Sequence, residues 1–528
     1  MLNSLQSELC KFGAKTSVPG IQNAFKAVDR FLRTVWILAL IVSLSMTVWQ
    51  LNEVFVKYLD YRTTTTIREV SNVNVSSFPQ VTVCNLQSPI GTMENENLTW
   101  KDYADMTKWR IDNLELLFGS GAEMSQKKID KYRYEYLPRI ASSPGYIANL
   151  PISSDTVAAI ESFVANCTFF DWTWNLRADI ICSVSVVWDS DYYRCITIRP
   201  PDELDNEMRG LVVYFYLNDF ADSWSSYVNE HIMTSMTSGI KVAVHPPGVA
   251  ADMSLANSIS PGSATSIKVS TTQRIRLPAP YGKCVERKWI DVDERYTSDR
   301  CFGLCQQQRF VDECGCLSGY FPFNASQLEQ TNRTMCVNQS LLEPGAAERR
   351  ETFQDFTRRF ICYVRHTYNS EDVLHCDCQE PCDETIYDTT TTGAAWPNRF
   401  YKLAVYKYLI AGRPHRYGDK FDVYGKIMDD IGNVSDAEIA DRIDAARVID
   451  ENFVSVKVYY ESYTGIVLED QPAMTVEQLA SNIGGTLSLW MGITTIWFVE
   501  LFEILYNTVK DSLRSRVLLL STPGIQKM

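Results

Sequence analysis

The segments RCFGLCQQQRFVDECGC (300–316) and HCDCQEPC (375–382) decide how the rest of the chain is interpreted. They belong to a block of ten cysteines between positions 284 and 382. CxxxC and CxC spacings occur in disulfide-rich domains and also in metal clusters. Only five histidines accompany them in 528 residues. We therefore predict disulfides, with a zinc cluster as the alternative.

The remaining cysteines place this block outside the cell. Cys10 lies near the N-terminus, and the other fourteen lie between two uncharged apolar runs, 34–52 and 478–499. Fourteen is an even number, as seven disulfides require, and disulfides persist in oxidising compartments. The segment between the two runs is therefore predicted to be extracellular.

The two apolar runs are 19 and 22 residues long, long enough to cross a bilayer as helices. A buried core helix is the alternative for each. Both flanking tails are net positive, which favours a cytoplasmic position for both. We therefore predict a plasma-membrane protein with a cytoplasmic tail at 1–33, a first transmembrane helix at 34–56, an extracellular domain at 57–475, a second transmembrane helix at 476–506 and a cytoplasmic tail at 507–528.

Glycosylation motifs give an independent test of this topology. All seven Asn-x-Ser/Thr motifs lie between the apolar runs, in the segment predicted to be extracellular, and N-glycosylation occurs on such segments. The predicted glycosylation sites are Asn74, Asn97, Asn166, Asn324, Asn332, Asn338 and Asn433.

Charge excludes one class of function and favours another. The net charge of −14 and the pI of about 5.0 argue against a nucleic-acid partner, which requires a basic surface. Segment 34–499 has 41 basic and 59 acidic residues, a net charge of −18. Such a field concentrates cations near the membrane.

Secondary-structure signals predict an α+β extracellular domain. Runs rich in β-branched and aromatic residues predict strands at 80–84, 211–217, 275–277 and 453–460. Helices are predicted at 350–366 and 435–447, the second with Ser435 as its N-cap.

Several motifs, in order, resemble the degenerin/epithelial sodium channel family. They are FPQVTVCN (78–85), SPG (260–262) with LPAPYGKC (277–284), the cysteine motifs above, and NIGGTLSLWMGIT (482–494) followed by VELFE (499–503). The resemblance covers nearly the whole chain. It implies a trimeric channel, here a homotrimer, whose subunits have two transmembrane helices and a disulfide-rich palm, thumb and finger domain.

The resemblance also implies a disulfide pairing that the cysteine count alone leaves open. The seven implied pairs are Cys84–Cys195, Cys167–Cys182, Cys284–Cys382, Cys301–Cys378, Cys305–Cys376, Cys314–Cys362 and Cys316–Cys336.

The second apolar run has glycines at intervals that place them on one helical face. Gly485, Leu489, Gly492 and Ile496 stand at i, i+4, i+7 and i+11, and helix packing through small residues is the alternative interpretation. The resemblance implies a selectivity filter of Gly492, Ile493 and Thr494, with Thr where the family has Ser, which leaves the preference for sodium over potassium open.

Further pore roles follow from the resemblance. Asn482, Gly484, Gly485 and Leu489 would line the outer pore and receive amiloride-type blockers. Glu500 and Glu503 would form inner carboxylate rings that attract cations, and solvated interfacial glutamates are the alternative. The permeant ion would be sodium, and no cofactor or metal is expected.

Two smaller elements complete the implied machinery. Pro19 and Gly20 stand where the family has His-Gly, and we expect a gating turn there, with a plain flexible tail as the alternative. Tyr281 occupies a position where an aromatic residue couples the thumb to the first span.

We expect the opening stimulus to be an RFamide-type neuropeptide. The acidic extracellular segment suits a cationic peptide, and Phe169, Phe170, Trp172 and Trp174 would receive its aromatic side chains; packing of these four in the domain interior is the alternative. Thr63 to Thr66 supply no histidine after the first span, so an acid-sensing or constitutively open sodium channel ranks second.

Two other classes of protein remain as alternatives to a channel. A non-conducting receptor would not need the glycines or the Glu500 and Glu503 rings. An ectoenzyme would need a catalytic motif, and the sequence has no GxSxG, HExxH or Walker loop.

Overall fold

The computed structural model describes most of the chain outside the termini and four long internal segments. Its residues are 19–71, 78–86, 163–189, 192–201, 207–217, 237–286, 289–291, 294–319, 321–332, 334–336, 358–359, 362–363, 366, 376–413, 417, 419–494, 497, 499–500, 502–503, 505–506 and 509–510. Asn74, Asn97, Asn338, Ile496 and most of the predicted helix 350–366 lie outside them.

The chain divides into two compact units. One consists of Met1–Thr66, Ala279–Gly282 and Asp470–Met528, and the other of Ile67–Pro278 and Lys283–Glu469. The principal helices in the described residues are α1 (Pro19–Lys26), α2 (Arg30–Leu59), α3 (Ser298–Cys314), α4 (Ala325–Gln330), α5 (Tyr401–Val405), α6 (Asp422–Asp429), α7 (Asp436–Ala445), α8 (Val448–Asn452) and α9 (Val476–Met491).

Helix α2 contains the whole predicted first span. Asp29 caps its N-terminus by accepting a hydrogen bond from the Phe31 N–H at 3.2 Å, and the helix continues for 30 residues. In the part of the chain that the structure describes, α2 is the one helix long and apolar enough to cross a membrane.

The predicted continuous helix over 476–506 is wrong in one respect. Thr475 and Gln478 form a capping box that starts α9, but α9 ends at Met491 after 16 residues. Gly492 adopts a left-handed conformation, φ 65° and ψ 20°, which no α-helix can continue through. Helical backbone is found again at Trp497, Val499 and Glu500.

The segment between the two apolar runs is built on two large sheets and has one further two-stranded sheet. Its strands are β1 (Thr63–Ser71), β2 (Gln80–Asn85), β3 (Val164–Asp171), β4 (Leu176–Arg177), β5 (Ser183–Asp189), β6 (Tyr193–Arg199), β7 (Met208–Tyr216), β8 (Ile240–His245), β9 (Asn257–Ile259), β10 (Ser263–Ile275), β11 (Trp289–Asp291), β12 (Glu294–Arg295), β13 (Asp383–Ala395), β14 (Phe453–Tyr460) and β15 (Thr464–Pro472). The larger sheet has the order β1-β15-β10-β14-β7-β3-β4, with β13 paired to β10, and the smaller has the order β5-β6-β2-β8-β9.

The predicted strands are confirmed at β2, β7 and β14, whose β-branched and aromatic residues fill the core between the sheets. The predicted strand 275–277 marks only the end of β10. Six of the 13 residues of β10 are serine or threonine, and the segment is a strand because it pairs with β13, β14 and β15. Helix α7 begins as predicted, with the Ser435 hydroxyl accepting from the Glu438 N–H at 3.3 Å.

All seven implied disulfides are present in the structure. Helix α3 presents Cys301 and Cys305 one turn apart to Cys378 and Cys376. Because every cysteine of the block is bonded to another cysteine, the zinc-cluster alternative is wrong. The α+β class with a disulfide-rich extracellular domain is confirmed.

Candidate ion-conduction pathway

One side of α9 packs and the other is open. Thr486 is buried, and the indole N–H of Trp490 donates to the side-chain oxygen of Gln50 in α2 at 2.5 Å. On the other side Leu489 is 72% exposed, and side chains at Gly484 or Gly485 would meet no atom of the described residues within 4 Å. Asn482 is exposed as well. Among the residues that the structure describes, Gly484, Gly485 and Leu489 therefore form the open side of this helix, and the Asn482 amide lies 4.0 Å from the Met474 sulfur.

Gly492 ends α9 with its N–H donating to the carbonyl of Ser488 at 3.0 Å, and the next N–H, of Ile493, donates to Leu487 at 3.2 Å. This is the geometry of a helix C-terminus closed by a left-handed glycine. An L-amino acid side chain is strained in that conformation. The backbone of Gly492, Ile493 and Thr494 is thus non-helical, at the point where the filter was predicted.

Beyond this break, Glu500 and Glu503 lie in helical backbone three residues apart, a spacing that places both carboxylates on one face. Glu503 is exposed and Glu500 is half-buried. Their role as cation-attracting rings stays a prediction.

Tyr281 contacts an aromatic residue at the end of the first span. Its ring meets that of Tyr61 edge to face, with centroids 5.3 Å apart, and Tyr61 follows α2 by two residues. Sequence reasoning missed Tyr61. Its position just beyond the predicted span was a usable signal, but its positive φ of 48° could not be read from the sequence.

The predicted turn at Pro19 and Gly20 is a helix start instead. Both residues are the first two of α1, where proline is favoured because a first-turn N–H has no intrahelical partner. A Cβ at Gly20 would stand 2.7 Å from Leu40 Cδ2. Gly20 therefore serves close packing between α1 and α2.

The four aromatic residues predicted to bind a peptide do not form an open site. Phe169 and Phe170 are 0% and 2% exposed, and Trp172 packs against the core and stacks on Tyr460. Trp174 is 48% exposed, but Arg209 and Lys457 lie over its ring. Burial removes the first two from a ligand site, and the two cations repel an arginine-containing peptide.

Four of the predicted glycosylation sites lie in described residues. Asn166, Asn332 and Asn433 have exposed side chains, whereas Asn324 is half-buried, because its side-chain oxygen caps α4 by accepting from the Gln327 N–H. Modification at each of them stays a prediction.

Comparison with known proteins identifies the family of this chain. The family described as amiloride-sensitive sodium channel matches residues 12–504. The FMRFamide-activated amiloride-sensitive sodium channel of Cornu aspersum is 23% identical, over 94% of this chain and 82% of the relative. The Degenerin-like protein asic-2 of Caenorhabditis elegans is 22% identical, over 92% and 83%, and the bile acid-sensitive ion channel of Rattus norvegicus is 20% identical, over 94% and 87%. Because the family match covers almost the entire length, this chain belongs to the amiloride-sensitive sodium channel family, whose members are ion channels and not enzymes.

Proposed function

We propose that this chain is the subunit of a homotrimeric, sodium-selective, amiloride-sensitive channel of the plasma membrane, opened by an extracellular RFamide-type neuropeptide. The observation that carries the proposal is the similarity to an FMRFamide-activated channel over 94% of the chain. The open side of α9 supports the conducting part, since a face of glycine and leucine that contacts none of the described residues suits helices arranged around a common axis.

In this proposal the chain crosses the membrane twice, through α2 and through the segment that begins with α9, and both termini are cytoplasmic. The glycine-bounded backbone of Gly492 to Thr494 forms the filter, because non-helical backbone directs carbonyl oxygens toward a permeating ion. Amiloride, a guanidinium cation, binds near Asn482 and Gly485. Glu500 and Glu503 hold sodium at the inner mouth.

The test is whole-cell current from cells expressing this chain alone. RFamide peptides are expected to evoke an inward sodium current that amiloride blocks. Current evoked by acid, or a standing current, would support the conducting pore but contradict gating by a peptide. Absence of current under every stimulus, with the protein shown at the cell surface, would contradict the homomeric channel.

Site variants test the pore assignment separately. Gly485→Ala is expected to weaken amiloride block at least tenfold with peptide responses retained, and Ser481→Ala, one turn away on α9, serves as the control. Equal block of the two variants would contradict the assigned blocker site.

A further inference from the structure

Two cations converge on one half-exposed indole in the larger sheet. Trp174 lies in the turn between β3 and β4. The guanidinium carbon of Arg209, on β7, lies 4.1 Å from the Trp174 ring centroid, and the Lys457 Nζ, on β14, lies 4.5 Å from it. Arg209 also lies 5.6 Å from the ring of Trp172. Positive charge is thus concentrated locally on a chain whose net charge is −14.

The Trp174 ring is held in place by packing. Trp174 stacks on the buried ring of Phe170, with centroids 5.2 Å apart and planes 8° from parallel. Phe170 in turn lies across Gly210, where a Cβ would stand 2.2 Å from the Phe170 ring and 2.7 Å from Tyr459 Cβ. A glycine at 210 is therefore required for the Phe170 and Trp174 stack.

The turn that carries Trp174 is also fixed. Trp174 has a φ of +67°, a conformation that bulky residues rarely adopt. The Asp171 carboxylate holds the turn by accepting from the Thr173 N–H at 2.8 Å and from the Asn175 N–H at 3.1 Å. The hydrogen bonds from Thr173 lower the pKa of Asp171, so this carboxylate is committed to the turn.

No acidic side chain neutralises the two cations. Among the residues that the structure describes, neither Arg209 nor Lys457 forms an ion pair with a carboxylate. Glu207, two residues before Arg209, pairs with Arg177 instead, at 3.4 Å. Burial, and then the charge of Arg209, lower the pKa of Lys457.

Arg209 and the Trp172 ring beside it each have a buried N–H group without an acceptor among the described residues. The Arg209 Nε and the Trp172 Nε1 are buried, and neither has a hydrogen-bond partner in the described part of the chain. Buried donors are paired in nearly all proteins, so an orphaned pair beside two unneutralised cations indicates a missing acceptor. An acceptor that also neutralises positive charge is an anion.

We propose that Arg209, Lys457 and Trp172 form a binding site for a small monovalent anion, either a halide from the medium or a carboxylate. The carboxylate source would be an acidic side chain of a second copy of this chain. Because the site attracts an anion, its chemistry excludes the cationic peptide proposed above as the activator.

The experiment compares the purified full-length protein with the double variant Arg209→Gln/Lys457→Gln. The matched control is Lys407→Gln, which removes a cation 5.6 Å from the ring of Tyr408 elsewhere in the domain. Sodium bromide replaces sodium methanesulfonate at constant ionic strength, and the unfolding temperature and the oligomer fraction by native mass spectrometry are measured. A ligand that binds only the folded state raises the unfolding temperature in a saturable manner.

For a halide, the wild type and Lys407→Gln should show a saturable rise with bromide that the double variant lacks. For a carboxylate of a second copy, bromide should have no effect, and the double variant alone should lose at least tenfold in assembly affinity. If the double variant does not fold, Lys457→Met, which keeps the packing of the side-chain stem, should raise the half-saturating bromide concentration at least fivefold or show the same assembly defect. Equal bromide response and equal assembly in wild type and variants would overturn the proposal.

Discussion

Helices α3 and α9 end in the same way but in different surroundings. Gly315 closes α3 at φ 66° and ψ 28°, and Gly492 closes α9 at φ 65° and ψ 20°. Gly315 lies between Cys314 and Cys316, both of which are in disulfides. No cysteine lies within the second apolar run. The same type of helix ending therefore leads into disulfide-bonded chain after α3 and into chain without disulfides at Gly492 to Thr494, the proposed filter.

This comparison predicts that the disulfide-bonded segment 301–382 depends most on its cross-links. The double variant Cys301→Ser/Cys378→Ser opens a loop with a sequence separation of 77. Removal of such a bridge is expected to destabilise the protein by about 2–5 kcal/mol, because the unfolded chain gains conformational freedom. Thermal unfolding of the full-length protein measures the loss, and an unfolding temperature equal to that of the wild type would contradict it.

Substitution of the two helix-ending glycines, Gly315 and Gly492, should separate an effect on stability from an effect on ion conduction. Alanine at either position costs about 1–2 kcal/mol of backbone strain, since a side chain disfavours the left-handed region. Gly492→Ala is expected to shift the sodium-to-potassium reversal potential or to reduce current more than tenfold at equal surface expression. Gly315→Ala should lower the unfolding temperature by a few degrees and leave the reversal potential unchanged. Equal effects of the two variants on conduction would mean that Gly492 is only a helix terminator.

The contact between Tyr61 and Tyr281 should have a smaller effect. An aromatic pair of this geometry contributes about 0.5–1.5 kcal/mol beyond its buried area. If the contact transmits opening, Tyr281→Ala should shift the peptide concentration for half-maximal current about threefold to tenfold. Tyr281→Phe keeps the ring and should behave as the wild type. Equal shifts for the alanine and phenylalanine variants would show that the ring contact is not what transmits opening.

Acid should weaken the extracellular sheets through His245. Burial lowers the pKa of this imidazole from 6.5 to about 4. One ring nitrogen lies 2.7 Å from the Thr82 hydroxyl and the other 3.2 Å from the Pro246 carbonyl, which suits a neutral ring that donates to the carbonyl. Between about pH 6.5 and pH 4, His245 is protonated in the unfolded chain but stays neutral in the folded chain. His245 therefore contributes its full stability above pH 6.5, and the contribution is lost as the pH falls toward 4.

The measurement is the unfolding temperature between pH 7.5 and 4.5 for the wild type and His245→Gln. The variant should lie below the wild type at pH 7.5, and the gap should narrow as the pH falls. A gap that stays constant with pH would contradict a neutral buried imidazole.

The sequence by itself determined the features that depend on composition and spacing. The 19-residue uncharged run at 34–52 predicted the helix α2. The even number of cysteines between the apolar runs predicted disulfides, and runs rich in β-branched residues predicted β2, β7 and β14. The pairing of those cysteines came from resemblance, because spacing allows many pairings. The length of the second apolar run predicted a continuous helix, but α9 ends at Gly492. An uncharged run does not show where a glycine adopts a positive φ.

Tertiary structure alone decided which aromatic residues are available and which charges are neutralised. Phe169 and Trp174 lie five residues apart in one aromatic segment. Phe169 is buried in the core, whereas Trp174 is half-exposed and has Arg209 and Lys457 over its ring. Those cations come from β7 and β14, strands separated by more than two hundred residues of sequence. Their convergence depends on the pairing of the two strands, and strand order is a property of the folded sheet and not of any local segment.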